Sequence, residues 1–350
     1  MQKENILIVG QGIAGSVLAF QFPEDRFHVT ILDDGHLSSS SMVAAGMWNP
    51  LSFKKPSIGW NSEQLLDSAR SAYGRISEKL KIDFFYFLPL NRIFPDQRSA
   101  NDWDDKSTER TFGQFVINNY GKKLHALVKQ PFGHGTVNHA GWCDLPKLLN
   151  TSRDFFSKKN QLLEGTFDSN KLHFDEDFWS YDGIKYDRII LAIGSKNSTL
   201  SYFDWVPLYP NKGQVLTVRP KEYYSEEILN YGNFVLPIGD GKYRVGGTYE
   251  FNDPNPSVTE ESKQKLLNKL QSVISDEFEI VDQKAGYRPT IPDRRPTVGE
   301  HPNIKNLYLF NGFGSKGVMY APDAARQLVD FIMHGAPIDT DISVRRYFKA

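Results

Sequence analysis

Three glycines near the start of the chain are the residues whose spacing most clearly predicts chemistry. Gly10, Gly12 and Gly15 follow the apolar run Ile6 to Val9, and residues 16–22 behind them have helical composition. A glycine-rich turn between a buried strand and a helix leaves backbone N–H groups free, and the helix N-terminus adds a partial positive charge. The pattern therefore predicts a turn that binds phosphate groups.

An acid at the end of the next predicted strand extends this pattern to a dinucleotide site. Gly10 would permit the tight turn, Gly12 the close approach of backbone to a pyrophosphate, and Gly15 close packing of the helix on the strand. Residues 28–32 predict a second strand, and Asp33 at its end could accept a hydrogen bond from a ribose hydroxyl. FAD and NAD both fit, whereas the acid would repel the extra phosphate of NADP. The predicted contacts here are Gly10, Gly12, Ile13, Ala14, Gly15, Asp33 and Asp34.

The composition limits the class of protein. The 350 residues are enough for two domains, and 41 Lys and Arg balance 42 Asp and Glu, so no global field attracts polyanions. The single cysteine, Cys143, cannot form an intramolecular disulfide, which fits a reducing compartment, and no Cys/His cluster has metal-ligand spacing. The polar start and the short apolar runs predict neither a signal peptide nor a membrane span. We therefore expect a soluble, cytoplasmic protein without a bound metal.

The elements that would position these glycines come from separated parts of the chain. Residues 188–193 resemble the first strand and would return to the same sheet, and residues 307–310 predict a last buried strand. Residues 213–249 contain short strand patterns with turns between them. We predict an α/β fold in which a Rossmann-type dinucleotide domain carries an inserted substrate domain of antiparallel β-sheet plus helices. The predicted limits are 1–50, 131–206 and 286–350 for the former, and 51–130 and 207–285 for the latter.

Motifs at both ends of the chain resemble those of a known family. Gly286 to Gly299 reads G-Y-R-P-T-I-P-D-R-R-P-T-V-G, and Gly312 to Gly317 is a second glycine-rich turn. Lys212, Gly213 to Leu216, and Gly246 to Thr248 match two internal segments. This set resembles the D-amino acid oxidase/glycine oxidase family of FAD-dependent oxidoreductases, the DAO superfamily. The resemblance implies an FAD-binding domain that holds FAD non-covalently between the two chain ends.

The resemblance also implies further cofactor contacts. Residues 41–46, with S-x-x-A-A-G spacing, resemble the family's flavin-contacting loop. The turn before the last helix would direct backbone N–H groups and a helix N-terminus to the flavin's pyrimidine edge, where they stabilise the reduced ring. Lys316 would strengthen that effect or remain a solvated lysine. The implied contacts are Ser41, Ala44, Ala45, Gly46, Gly194, Arg288, Gly312, Phe313, Gly314, Ser315, Lys316, Gly317 and Val318.

Arg288 occupies the place of the arginine that often holds the substrate carboxylate in this family. A guanidinium can form two parallel hydrogen bonds to a carboxylate and so direct the adjacent C–H toward the flavin. Alternatively, Arg288 pairs with Asp293 or another acid. Phe234 stands where glycine oxidases tend to have a tyrosine, so Tyr231 or Tyr249 would have to serve. We predict that Arg288 and Tyr249 orient the substrate.

These features predict an FAD-dependent oxidoreductase acting on the CH–NH or CH–NH₂ group of an amine or amino acid. Hydride would pass to flavin N5, and oxygen or another acceptor would reoxidise the flavin. Three alternatives remain. They are a dehydrogenase of a hydroxy acid, an enzyme that oxidises a carboxymethylaminomethyl group on tRNA wobble uridine, and a flavin-binding module without turnover.

The tRNA alternative depends on a short segment. Gly141 to Pro146 resembles a G-W-x-x-P stretch in the oxidase half of a bifunctional wobble-uridine enzyme, with one residue more before the proline. The balanced charge disfavours nucleic acid as a partner, although Lys54-Lys55 and Lys122-Lys123 could form a local basic patch. Trp142 is otherwise explained as a core or flavin-flanking aromatic.

Overall fold

The computed structural model describes residues 2–35, 39–53, 55–117, 123–175, 177–199, 201–251 and 253–348; Lys54 and Lys122 of the predicted patches lie outside them. The helices are α1 (Ile13–Gln21), α2 (Ser40–Val43), α3 (Ser62–Leu80), α4 (Gln97–Ser107), α5 (Arg110–Gly113), α6 (Leu145–Lys158), α7 (Glu260–Val273) and α8 (Gly317–His334). The strands are β1 (Glu4–Val9), β2 (Phe27–Asp33), β3 (Met47–Trp48), β4 (Leu51–Ser52), β5 (Ser57–Ile58), β6 (Phe85–Phe87), β7 (Leu90–Ile93), β8 (Val116–Ile117), β9 (His134–Val137), β10 (Gly141–Cys143), β11 (Leu162–Glu164), β12 (Leu172–Asp175), β13 (Phe178–Tyr181), β14 (Ile184–Tyr186), β15 (Arg188–Leu191), β16 (Tyr209–Pro220), β17 (Ile228–Asn230), β18 (Phe234–Gly239), β19 (Lys242–Gly246), β20 (Glu250–Phe251), β21 (Phe278–Thr290), β22 (Thr297–Glu300) and β23 (Leu307–Asn311).

A six-stranded sheet in the order β11-β2-β1-β15-β23-β22 confirms the predicted Rossmann-type unit. All its pairs are parallel except β22 with β23. Ile6 and Ile8 point into the core beneath α1, α3 and α8, whereas Leu7 and Val9 point into a core shared with β12, β13 and β14. Both faces of β1 are therefore covered, which explains its continuous apolar sequence.

The second sheet joins the short strands of residues 213–249 to strands from other parts of the chain. It has nine strands, in which β16 pairs along one edge with β21 and along the other with β19 and β20. The remaining order is β19-β18-β17-β7-β9-β8, and the β7–β17 pair is parallel in an otherwise antiparallel sheet. One face packs on α7 around Leu216, Val245 and Leu266. The opposite face carries Val215, Phe234 and Arg288, which line a cleft.

The predicted domain limits remain a prediction. The six-stranded sheet takes all its strands from 1–50, 131–206 and 286–350. The nine-stranded sheet takes most strands from 51–130 and 207–285, but it also contains β9, and β21 continues past residue 285. The predicted limit between residues 285 and 286 therefore falls within a single strand, β21.

Helix α3 ties the last helix to the rest of the fold. The Tyr73 hydroxyl donates to the carbonyl oxygen of Val318 at 2.7 Å, in the first turn of α8. Gln64 and Ser68 both donate to Oδ1 of the buried Asp323 at 3.2 Å. These contacts fix the N-terminal half of α8, whose end opens toward the cleft.

The contact between β1 and α1 yields a stability prediction for Gly15→Ala. A Cβ at Gly15 would lie 1.9 Å from the carbonyl oxygen of Gly10, so the helix and the turn would have to separate. We expect a loss of about 1–3 kcal/mol in the free energy of unfolding, measured in urea. Gly74→Ala in α3 is the matched control, because a Cβ there meets nothing within 4 Å. It should be neutral or stabilise by up to about 1 kcal/mol, and equal stability of the two variants would contradict the packing argument.

Candidate active site

A cleft of about 640 Å³ lies between the two sheets. One end is formed by the loops that follow β1, β2 and β15, and the other by the face of the nine-stranded sheet and the turn before α8. The two glycine-rich turns, at residues 10–14 and 313–317, both line it. Turns that are about three hundred residues apart in sequence therefore share one site, whose size lies in the range of ligand pockets.

The first glycine-rich turn opens the N-terminus of α1 toward the cleft. Gly10 has a φ of +102°, and a Cβ there would lie 2.6 Å from the carbonyl oxygen of Ala192. Gly12 is the N-cap of α1 and has no side chain to cap it. Ser41 compensates in part, because its Oγ accepts a hydrogen bond from the Ile13 N–H at 3.0 Å. A helix N-terminus of this kind binds anions such as phosphate.

Asp33 joins the turn, the second strand and helix α6. Its Oδ2 accepts from the Gln11 N–H at 2.8 Å, and its Oδ1 accepts from the Gly35 N–H at 2.9 Å and Arg153 Nη1 at 3.0 Å. Arg153 also donates to Glu164 at 2.9 Å. The side chains of Asp33 and Arg153 are only 9% and 17% exposed, so water screens this ion pair little. Asp33 lines the cleft, as its predicted contact with a ribose requires.

Loops from three neighbouring parallel strands meet beside Asp33. Asp34 follows β2 and forms an ion pair with Lys196 from the segment after β15. The carbonyl oxygen of Gly194 accepts from Asn311 Nδ2 at 2.9 Å, which links that segment to the end of β23. All four residues line the cleft.

The predicted flavin-contacting loop, residues 41–46, forms one wall. Ser41, Ala44, Ala45 and Gly46 line the cleft. Gly46 has a φ of +72°, and a Cβ there would lie 2.0 Å from the carbonyl oxygen of Cys143. Burial raises the pKa of the Cys143 thiol well above its usual range, so this cysteine is a packing residue and not a nucleophile.

The turn before α8 forms the opposite wall. Phe313, Gly314, Ser315, Lys316, Gly317 and Val318 line the cleft, as predicted from the sequence. Lys316 is half-buried, and burial together with the nearby Arg294 lowers the pKa of its ammonium group. Among the described residues no acid or hydrogen-bond acceptor pairs with that ammonium, which lies 6.0 Å from the centre of the Tyr320 ring. The prediction of a solvated lysine is therefore the weaker of the two.

Arg288 lies flat against the backbone of the nine-stranded sheet. Its Nη1 donates to Asn211 Oδ1 and to the carbonyl oxygen of Thr248, both at 3.1 Å. A Cβ at Gly213 would come within 2.2 Å of this nitrogen, so only glycine leaves room for the guanidinium. Burial lowers the pKa of Arg288. Within the described part of the chain no carboxylate pairs with Arg288, and its Nε and Nη2 donors have no partner.

The predicted alternative partner of Arg288 lies elsewhere. Asp293 forms an ion pair with Arg346, with Oδ2 3.0 Å from Nε. The exposed ring of Tyr249 covers the guanidinium of Arg288 instead, with 4.4 Å between its centre and Cζ. Tyr249 and Phe234 line the cleft, whereas Tyr231 packs on the core under α7 with its hydroxyl buried and unpartnered. Tyr231 is therefore unsuited to hold a substrate.

Comparison with known proteins identifies the family. The model of the DAO family, described as FAD dependent oxidoreductase, matches residues 5–331.

The chain belongs to the DAO family of FAD-dependent oxidoreductases.

Individual relatives of this DAO-family chain are distant. It is 26% identical to glycine oxidase of Pseudomonas aeruginosa, over 96% of each chain. It is 24% identical to the tRNA 5-methylaminomethyl-2-thiouridine biosynthesis bifunctional protein MnmC of Legionella pneumophila, over 94% of this chain, but it spans only 54% of that protein. The solved structure of glycine oxidase from Geobacillus kaustophilus has the same fold, with a TM-score of 0.83, 20% identity and full coverage of both chains.

The cofactor of the family is FAD, and the cleft has the features that this DAO-family chain needs to bind it. The N-terminus of α1, where Gly12 has no side chain and Ser41 satisfies the Ile13 N–H, suits a pyrophosphate. The N-terminus of α8 and the unpaired Lys316 lie in the opposite wall, where they suit a ring that becomes negative on reduction. The individual contacts remain predictions.

Two glycines predicted as cofactor contacts do not line the cleft. Gly15 packs against the carbonyl of Gly10, and a Cβ at Gly312 would lie 2.3 Å from Cδ1 of Ile291. Both serve close packing next to the cleft. The sequence reasoning missed Gln11, Asn230 and the carboxylate clamp Arg153, since an arginine within an amphipathic helix gives no signal of its own.

The described part of the chain contains no helix long and apolar enough to cross a membrane. Among the same residues no group of three or more His, Cys, Asp or Glu side chains is placed to hold a metal ion.

Asp33→Asn tests the carboxylate clamp. The variant loses the charge that pairs with Arg153, which retains Glu164 and Gln11 as partners. One of the two acceptor oxygens beside the phosphate-binding turn also becomes an amide donor. We expect FAD to bind about 10–100 times more weakly, measured by titrating apoprotein with FAD and following flavin fluorescence. Asp25→Asn, at an exposed carboxylate in the turn before β2, is the control and should bind FAD normally. Unchanged affinity in Asp33→Asn would remove this residue from the site.

Proposed function

We propose that the protein oxidises a C–N bond of a small amine or amino acid that carries a carboxylate. The observation that carries this proposal is the Nε and Nη2 edge of Arg288 in the cleft wall, which has no partner among the described residues. A desolvated guanidinium without an acid is costly, and two parallel N–H donors match the two oxygens of a carboxylate. The substrate would supply the missing partner.

Orientation would come from the groups around Arg288. Asn211 and Thr248 occupy both hydrogens of Nη1, which leaves one edge of the guanidinium for the substrate. Tyr249 covers the flat face of the guanidinium and would restrict how a carboxylate approaches. A substrate held in this way would present its C–H bond to the cofactor in one geometry, which is the main requirement for hydride transfer.

FAD, when bound, supplies the hydride acceptor. The chain's own contribution would be the positive end of α8 and the Lys316 ammonium, which favour negative charge at that wall of the cleft. Oxygen or another acceptor would reoxidise the flavin.

The proposed reaction is tested by anaerobic titration of the purified yellow protein. Primary and secondary amino acids should bleach the flavin absorbance near 450 nm, and hydroxy acids with the same carbon skeleton should not. Bleaching by the hydroxy acids alone would indicate a dehydrogenase of that class. If none of the compounds bleaches the flavin, the protein is a flavin-binding module without turnover.

Arg288→Lys tests the carboxylate contact. Lysine keeps the charge but loses the second parallel donor. We expect kcat/KM for N-methylglycine to fall about 100-fold or more, with a smaller effect on N-methylbenzylamine, which has no carboxylate. Arg219→Gln, at an exposed arginine of the same sheet that pairs with Glu279, is the control. Equal losses for both amines would show that Arg288 supports the fold and does not bind the carboxylate.

Oxidation of a carboxymethyl-bearing amine on tRNA is a second candidate. The similarity to the bifunctional tRNA-modifying protein favours it, and so does the exposure of Tyr249 beside Arg288. A salt-dependent gel shift with tRNA would support this candidate, because phosphate contacts weaken as salt rises. No shift at low salt would exclude it.

A further inference from the structure

Two polar side chains, called anchors here, lie on the cleft-facing surface of the nine-stranded sheet. The first anchor is Arg288, and the second is Asn230. Arg92 on β7 pairs in register with Asn230, Asn230 with Phe234, Phe234 with Gly246, and Gly246 with Val215. Residues directly opposite one another on paired strands share a face. All of this row except Arg92 lines the cleft.

Arg92 fixes the orientation of Asn230. Its Nη1 donates to Asn230 Oδ1 at 2.7 Å, so the amide Nδ2 must point away from the arginine. Among the described residues no acceptor bonds that Nδ2. Asn230 therefore presents a free donor in the cleft wall, and the bond from a cation polarises it.

The guanidinium of Arg92 lies near an aromatic ring. Within the described ranges no carboxylate pairs with it, and its guanidinium lies 5.7 Å from the centre of the Phe53 ring. Burial lowers its pKa. A half-buried cation without an acid beside a ligand cleft favours a negative group in that cleft.

The space between the two anchors is apolar. The guanidinium of Arg288 lies over Gly213 and Gly247, while the row from Asn230 crosses Phe234 and Val215. Strands are about 4.8 Å apart, so two to three strand spacings place the anchors roughly 10 to 14 Å apart across the sheet. The floor therefore has the cation of Arg288 at one side, the Arg92-bonded amide of Asn230 at the other, and hydrocarbon between them.

We propose that Asn230, positioned and polarised by Arg92, forms a second anion subsite, and that the substrate is an elongated amine. One carboxylate binds Arg288, a methylene segment lies on Phe234 and Val215, and a second acidic group reaches Asn230. This inference rests on the proposed amine oxidation, since it names the substrate class of the same cleft. In an N-(ω-carboxyalkyl)glycine with five methylenes, eight bonds join the two carboxyl carbons and span about 10 Å. This length matches the shorter of the two distances estimated between the anchors.

The test compares N-(ω-carboxyalkyl)glycines with one, three, five and seven methylenes. Each is paired with an N-alkylglycine in which a methyl group replaces the terminal carboxylate. In the holoenzyme we measure, for each pair, the kcat/KM of the dicarboxylate divided by that of its N-alkylglycine. We expect this ratio to rise to about tenfold or more at five or seven methylenes, and to stay near one at one methylene. Non-oxidisable α,ω-dicarboxylates should perturb the flavin spectrum with the same length dependence.

Variants separate recognition from folding. Arg92→Gln and Asn230→Leu should bring the ratio to about one, because they lower kcat/KM for the dicarboxylates more than for the N-alkylglycines. Arg92→Lys should keep part of the ratio. Arg219→Gln is the control and should keep the full ratio. If Arg92 is merely structural, its variants should lower kcat/KM for both members of a pair equally, and the proposed subsite would be wrong. A wild-type ratio near one at every length would also overturn the proposal. If Arg92→Gln does not fold, the length series and Asn230→Leu decide. If no amine of either kind reduces the flavin, the proposed oxidation itself fails.

Discussion

Parallel pairing at the centre of the six-stranded sheet is the constraint on which the site depends. Strands β2, β1, β15 and β23 run in the same direction, so the loops after their carboxyl ends emerge at one edge. Asp33, the Gly10 turn, Gly194 and Asn311 meet there although the chain separates them widely. Because the strands are buried and fully paired, this edge is rigid, and the cleft is built on it.

The distribution of charge differs between the two ends of the cleft. At the Asp33 end the charges are paired, since Arg153 and Lys196 each contact an acid of the β2 terminus. At the other end Arg288, Lys316 and Arg92 are partly desolvated, and no acid among the described residues pairs with them. Desolvated charges without an opposite charge raise the free energy of the folded protein until an anion binds. This favours negatively charged ligands at that end of the cleft.

Arg288 is held in place by a polar network within the sheet. The Thr248 hydroxyl donates to Glu250, which also accepts from Ser262 at 2.7 Å, and the fully buried Lys212 reaches Asp253 at 2.7 Å. These bonds fix the segment whose carbonyl accepts from Arg288. The position of the guanidinium is therefore set by residues that do not touch the cleft.

The sequence alone determined the parts that are local. A buried strand, a glycine turn and an acid one strand later have steric and electrostatic reasons that act within about thirty residues, so a dinucleotide-binding turn could be predicted. The family, and FAD as its cofactor, followed from the resemblance of motifs at both ends of the chain to the DAO superfamily. Strand register is not local, since it depends on which strands meet across the sheet. Only the folded chain placed Tyr249 in the cleft wall and Tyr231 in the core, and paired Asp293 with Arg346 and not with Arg288. Only the folded chain also paired Asp33 with Arg153, and Arg92 with the cleft residue Asn230.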